Sequence, residues 1–188
     1  VDDDLAVELA RFQNDQLSEM VKKYPNRFAA IATLPLQVPS EAVKELERAI
    51  KVLGLRGVEI GSHVGKRELG DKAFWPVYKA LEDLGVPIFI HPHLVAGMER
   101  LEDFYLTNLI GNPLDTTIAA AQLIFSGVLE KYPGLKIILA HAGGQLPYII
   151  GRIEHGYQVR PECKEKVRRS PMTFFKNFYF DIITHNPE

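Results

Sequence analysis

The sequence predicts an α/β fold, a parallel sheet whose strands alternate with helices. Three observations carry that prediction. Five short apolar segments, each stopped by Gly, Pro or a polar residue, are separated by stretches with apolar residues at helical spacing. Two of those segments, residues 86–91 and 135–141, are apolar almost throughout and end in His91 and His141, the pattern of parallel strands covered on both faces. No internal repeat or low-complexity run interrupts the alternation. Strict alternation argues right-handed crossovers between parallel strands. Five strands make either an open doubly wound sheet or part of a closed (β/α)8 barrel, and the pattern alone fits both. No Gly-x-Gly-x-x-Gly follows a strand, so the dinucleotide-binding form of the open sheet has no support.

In chain order, residues 5–24 read as a helix with Leu5, Leu9, Phe12, Leu17, Met20 and Val21 roughly at helical spacing, ended by Pro25-Asn26. Residues 28–34 form a buried strand stopped by Pro35. Ser40 is suited to cap a helix that buries Ala42, Leu46, Ala49 and Leu53, with Gly54 just past its end. Residues 57–61 are the next strand. A glycine-containing loop then leads to a helix capped by Asp71 and closed by Gly85. The stretch from Pro92 to Gly111 is long for a connection, and such loops are usually functional. Asn112-Pro113-Leu114-Asp115 supplies a cap, a first-position proline and an acid for a helix running to about Lys131. After the His141 strand, Gly143-Gly144 open a helix toward His155, and residues 178–182 are the last strand.

Composition narrows the function classes. The 188 residues are 46% hydrophobic and 24% charged, ordinary for one globular domain, and a formal charge of −2 offers no basic surface to nucleic acid or membrane. No apolar run approaches the ~20 residues of a membrane helix. Val1-Asp2-Asp3-Asp4 is acidic, unlike a signal peptide, and the lone Cys163 forms no internal disulfide. These features fit a cytoplasmic protein. A complete eight-stranded barrel takes about 250 residues, so if the 188 residues belong to a barrel they are a fragment of one.

His91 and His141 end successive strands at the face where such barrels carry their chemistry, so their imidazoles could converge on one metal or one reacting atom. Either one alone could equally be a hydrogen-bonded core histidine. Strand parity puts Phe89 and Pro87 on the face of His91, and Leu139 and Ile137 on that of His141. A zinc site normally needs at least three protein ligands, and two histidines fall short. Glu59 sits at the same level on its strand, Asp181 ends the last one in the same manner, and His185 follows it by four. His63 and His93 lie just beyond strand ends, where they touch a substrate or are solvated. Arg152 could hold a carboxylate through two parallel hydrogen bonds, or be a surface arginine. Ala142-Gly143-Gly144 could cradle a phosphate, although close helix packing is the preferred reading. Lys164 to Arg169 reads as a solvated face.

Ile90-His91-Pro92, Gly111-Asn112-Pro113-Leu114-Asp115-Thr116-Thr117, Gly127-Val128-Leu129-Glu130-Lys131-Tyr132-Pro133, Ala140-His141-Ala142-Gly143-Gly144, Gly151-Arg152-Ile153 and Phe180-Asp181 occur in that order. With Gly57-Val58-Glu59-Ile60-Gly61-Ser62-His63, they give a chain that resembles the amidohydrolase-related, metal-dependent decarboxylases, most closely the aminocarboxymuconate-semialdehyde decarboxylase type. The resemblance implies a TIM-type (β/α)8 barrel, of which residues 1–188 hold about strands three to seven. It implies one divalent metal, with zinc the expected ion, and His91 as its ligand on strand five. His141 then corresponds to the strand-six histidine that works as acid or base beside the metal-bound water. Arg152 corresponds to an arginine that reaches a neighbouring subunit's site and holds a substrate carboxylate, which implies a homodimer. His93 stands where the aminocarboxymuconate enzyme has a tryptophan, so it is expected to bind substrate and alter its identity. The family's paired histidines of strand one have no counterpart here, and its strand-eight aspartate would lie beyond Glu188.

The expected activity is non-oxidative decarboxylation of an aromatic or unsaturated carboxylic acid. Hydrolysis by the same kind of site is the alternative. Two rivals differ in class: a non-catalytic chain binding partners through its edge strands, and a metal-free barrel binding a phosphorylated substrate at Gly143-Gly144. The chain alone is expected to bind zinc poorly and to self-associate through open strand edges.

Overall fold

The computed structural model describes residues 2–185. Its elements run α1 (Asp3–Lys23), β1 (Ala32–Thr33), α2 (Pro39–Lys51), β2 (Val58–Ile60), β3 (His63–Val64), β4 (Arg67–Glu68), α3 (Trp75–Leu84), β5 (Ile88–Ile90), α4 (Asn112–Phe125), α5 (Val128–Lys131), β6 (Ile137–Leu139), α6 (Leu146–Val159) and β7 (Phe178–Phe180), with 3-10 segments and a π-helical turn in some of the connections. The main sheet has the order β1-β2-β5-β6-β7, every neighbouring pair parallel. β3 and β4 form a separate antiparallel hairpin over what the sequence suggested was plain loop.

The register explains the core. Val58, Ile88, Ile137 and Phe178 lie in one row across the sheet, and Ile60, Ile90 and Leu139 in another; all are buried on the helix side. Between them runs the row Thr33, Glu59, Phe89, Ile138 and Tyr179 on the opposite face, where Glu59 is exposed and Tyr179 is 53% exposed. One face of the sheet is thus packed by helices and the other, which in a closed barrel would be interior, stays open.

α1 is capped by Asp2, whose carboxylate accepts from Asp4 N (3.0 Å) and Leu5 N (3.2 Å). Asp3 and Asp4 in its first turn and Lys22 and Lys23 in its last complement the helix dipole. It differs from the sequence expectation in which face it buries. The buried row is Ala6, Ala10, Asn14 and Ser18, spaced by four, whereas Leu5, Leu9, Phe12 and Met20 are exposed. The small row lets the helix approach closely, and Phe12 and Met20 line a cavity on the open side of the sheet.

Asn14 is the centre of that approach. Ala32 faces β2, donating to Gly57 O at 2.8 Å, so the polar groups of Thr33 point away from the sheet. Asn14 Oδ1 accepts from Thr33 N at 2.9 Å, and its Nδ2 donates to Thr33 O at 3.0 Å and to Glu45 Oε1 at 2.7 Å. Glu45, itself buried, also accepts from Arg48 Nε at 2.8 Å.

Other boundaries moved for local reasons. Pro39, not Ser40, opens α2, and its N-cap position has no side-chain hydrogen bond. The helix expected over residues 112–131 breaks into α4 and α5 at Gly127, where φ is +83° and a Cβ would stand 2.5 Å from Lys166 O. α4 begins as the continuation of a π-helical turn over Thr107–Gly111, so Asn112 does not act as its cap. No helix among the described residues is long and apolar enough to cross a membrane.

Candidate active site

β5 and β6 are adjacent and parallel, and both end at the same level. His91 leaves β5 with its backbone N–H donating to Ile60 O at 3.0 Å, and it keeps the parity expected of it, on the face of Phe89. His141 reaches the same place by another route. Ile137 and Leu139 face the helices, paired with Ile88 and Ile90, so continued alternation would have turned the residue at 141 away. Instead the chain leaves the strand, and both His141 (φ +56°) and Ala142 (φ +52°) adopt left-handed conformations. That turn brings the His141 ring to 5.2 Å from the His91 ring, centroid to centroid. The parity argument was wrong for β6 because the strand ends before the histidine.

Left-handed backbone at two successive non-glycine residues is strained and needs support. Asp181, just past β7, supplies it. Its carboxylate accepts from His141 N (3.1 Å), Ala142 N (2.8 Å) and Ile183 N (3.0 Å). Burial pushes the Asp181 carboxyl up, but those N–H donors and the nearby His141 ring outweigh it and hold it below the usual carboxylate range. Burial first, and then the charge of His91, press the His141 imidazole below its ordinary range, with Asp181 opposing. The Nδ1 of His141 is buried and has no hydrogen-bond partner among the described residues.

Gly143 and Gly144 are a packing device. A Cβ on Gly143 would lie 2.5 Å from the Phe180 ring, and one on Gly144 would lie 2.0 Å from Pro113 O. The backbone N–H of Gln145 at the start of α6 already donates to Thr117 Oγ1 at 2.8 Å.

On the open face a cavity of about 1060 Å³ extends from His91 past Glu59, Gly61, His63 and His93 to β1 and to Phe12, Leu17 and Met20 of α1. His141 stands beside His91 just outside this lining. His63 and His93 stack with rings 5.3 Å apart and 11° from parallel. Arg152 is exposed on α6, makes no hydrogen bond or ion pair among the described residues, and does not line the cavity. His185 is exposed at the end of the described chain. Sequence reasoning missed one buried pair at this end of the sheet: Ser62 Oγ donates to Asp115, which also accepts from Ala96 N at 3.1 Å. Asp115 had been explained as a first-turn helix acid, and nothing in its spacing signals a partner 53 residues away.

As a metal centre, the site is partial. His91 and His141 offer two imidazoles side by side, one with an unpartnered nitrogen, which suits a divalent ion. Among the described residues no group of three or more His, Cys, Asp or Glu side chains is placed to hold one.

Comparison with known proteins now adds the family. The model described as amidohydrolase matches residues 2–169. The chain belongs to the amidohydrolase family. It is 38% identical, over 97% of its length, to 2-amino-3-carboxymuconate-6-semialdehyde decarboxylase of Dictyostelium discoideum, of which it covers 51%. Its fold matches the crystal structure of 5-carboxyvanillate decarboxylase from Sphingomonas paucimobilis with a TM-score of 0.88 and 31% identity, covering 96% of this chain and 56% of that one. It matches dihydroxybenzoic acid decarboxylase from Polaromonas sp. JS666, bound to manganese and 2-nitroresorcinol, with a TM-score of 0.86 and 32% identity over 96% and 58% of the two chains. The chain spans about half the length of the curated relatives it matches. Its five parallel strands are therefore those of a partial (β/α)8 barrel, which decides between the two architectures left open by the strand pattern.

Proposed function

We propose that this amidohydrolase chain is the central part of one barrel domain in a metal-dependent, non-oxidative decarboxylase of an aromatic or unsaturated carboxylic acid. The observation that carries this reading is the placement of the His91 and His141 imidazoles beside each other at adjacent strand ends, in a chain whose relatives and structural neighbours are decarboxylases. His91 would hold the ion, with zinc our first choice, and further ligands would come from outside these residues. Bound there, a divalent ion polarises the substrate and lowers the pKa of water.

The chain's own residues account for the rest. His141, whose imidazole burial and then His91 press below its ordinary range, has a lone pair to take a proton from solvent water and pass it to the carbon that bears the carboxyl. As that carbon gains its proton, its bond to the carboxyl breaks, carbon dioxide leaves, and the bonding pair returns to the unsaturated system. His93 faces the cavity as a substrate-binding group. Arg152, solvent-facing and without a partner among the described residues, is suited to hold a substrate carboxylate in a second subunit. We therefore propose a homodimer, and a cytoplasmic location.

The test uses the complete protein. His91→Ala should remove bound metal and activity together. His141→Asn should keep the metal and lower kcat by roughly 10²–10⁴, with carbon dioxide release as the assay. Arg152→Ala should raise KM without changing metal content. Product acids formed from esters or amides, with no carbon dioxide, would place the protein among hydrolases instead.

A further inference from the structure

His63 contributes nothing to the chemistry described above, yet it is the most constrained imidazole at the cavity. It sits in β3, and its Nδ1 lies 3.0 Å from Gly65 O. Its Nε2 lies 3.1 Å from His93 O and 3.2 Å from Leu94 O. Whichever nitrogen carries the proton, an N–H meets a backbone carbonyl. The ring face then stacks on the ring of His93. On another side His93 rests against Gly61, where a Cβ would come within 2.9 Å of its Nδ1 and Cε1. His93 is thus held between a ring and a glycine, while its own nitrogens bond to no protein group among the described residues.

The loop beneath is braced too. Leu94 has φ +50°, a conformation that costs a leucine energy and persists only where the surroundings impose it. Two groups impose it here. His63 faces the successive carbonyls of His93 and Leu94, and Asp115, bonded to Ser62, accepts from Ala96 N. Both braces trace back to neighbouring residues, Ser62 just before β3 and His63 at its start, and both end on the loop that carries His93.

We propose that His63 is a positioning residue that fixes His93 as the specificity-determining group for a ring hydroxyl of the substrate. A neutral imidazole carries one donor and one acceptor, and so does a hydroxyl, whereas a carboxylate only accepts. A ring clamped in one orientation discriminates better than a mobile one, since no rotamer freedom is lost on binding. This deepens the decarboxylase reading and rests on it.

The experiment measures affinity in the complete metal-loaded protein by calorimetry, with 2-nitroresorcinol and nitrobenzene as unreactive probes that differ in their hydroxyls. His93→Phe should weaken 2-nitroresorcinol about tenfold, the equivalent of one hydrogen bond, and leave nitrobenzene unchanged. His63→Phe keeps an aromatic ring but loses both carbonyl contacts, and should weaken the same probe about fivefold. The double variant should be no weaker than His93→Phe alone, because the two act as one unit. His63→Gln, which restores a donor, should recover part of the loss, and thermal unfolding verifies that each variant is folded. Wild-type affinity in a folded His63→Phe, or strictly additive losses, would overturn the positioning role while the decarboxylase reading stands. A wild-type protein that releases carbon dioxide but binds both probes equally overturns the hydroxyl assignment. One that neither releases carbon dioxide nor binds either probe overturns both readings.

Discussion

Asp181 shows how much a single side chain does at the residue scale. It touches nothing in the cavity, but three backbone N–H groups converge on its carboxylate, and two of them belong to the left-handed turn that aims His141. Asp181→Asn replaces one accepting oxygen by a donor that faces those same N–H groups. Discounted for partial exposure, the loss should be about 1–2 kcal/mol, read as a lower urea midpoint with an unchanged slope. A variant with wild-type stability would show that the turn holds itself. Which residues would meet was legible at this scale; how they meet was not. The apolar run ending in His141 identified the strand end, and the same run predicted the wrong parity. Two non-glycine residues with positive φ give no signal in sequence. The Ser62–Asp115 pair was equally silent, because Asp115 at the start of a helix already had a sufficient local explanation.

At the scale of elements, helix positions followed from apolar spacing and from Gly and Pro, while the face a helix buries did not always follow. In α1 the larger apolar row lost to Ala6, Ala10, Asn14 and Ser18 because only small residues permit the approach that lets Asn14 reach Thr33. A second cross-element tie is Glu154 of α6. It accepts from Ser170 Oγ at 2.6 Å and from Met172 N at 3.2 Å, at the start of the 3-10 segment Pro171–Asn177. The Ser170 hydroxyl, with the Met172 N–H and Gln158, outweighs burial and holds the Glu154 carboxyl below its ordinary 4.5. A carboxyl with a depressed folded pKa adds stability that is present above its unfolded value and lost as pH falls through its folded one. Glu154→Gln should therefore cost about 1 kcal/mol or less at pH 7, and the difference from wild type should shrink as the pH drops below about 4.5. A difference that does not shrink on acidification would mean that the glutamate acts by packing rather than charge.

For the whole molecule, alternation of strands and helices was readable from the first, because parallel strands under helices leave a continuous apolar record. Closure was not, since an open sheet and a partial barrel write the same pattern; the half-length match to barrel relatives and the open inner face decide it. The two sheet edges also differ in a way that no pattern announces. At β1 the Asn14 amide presents to Thr33 the N–H and C=O that a neighbouring strand would have offered, whereas no strand pairs with the far side of β7 among the described residues. A chain with one edge sealed and one available is a terminator of its own polymerisation: two copies can join β7 to β7, and the product has nowhere left to add a third. The isolated 188-residue chain should thus sediment at up to twice its 21.2 kDa mass and stop there. Asn14→Ala should reopen the second end and yield open-ended oligomers, and wild-type chains that already form fibres would show that the amide does not seal the edge.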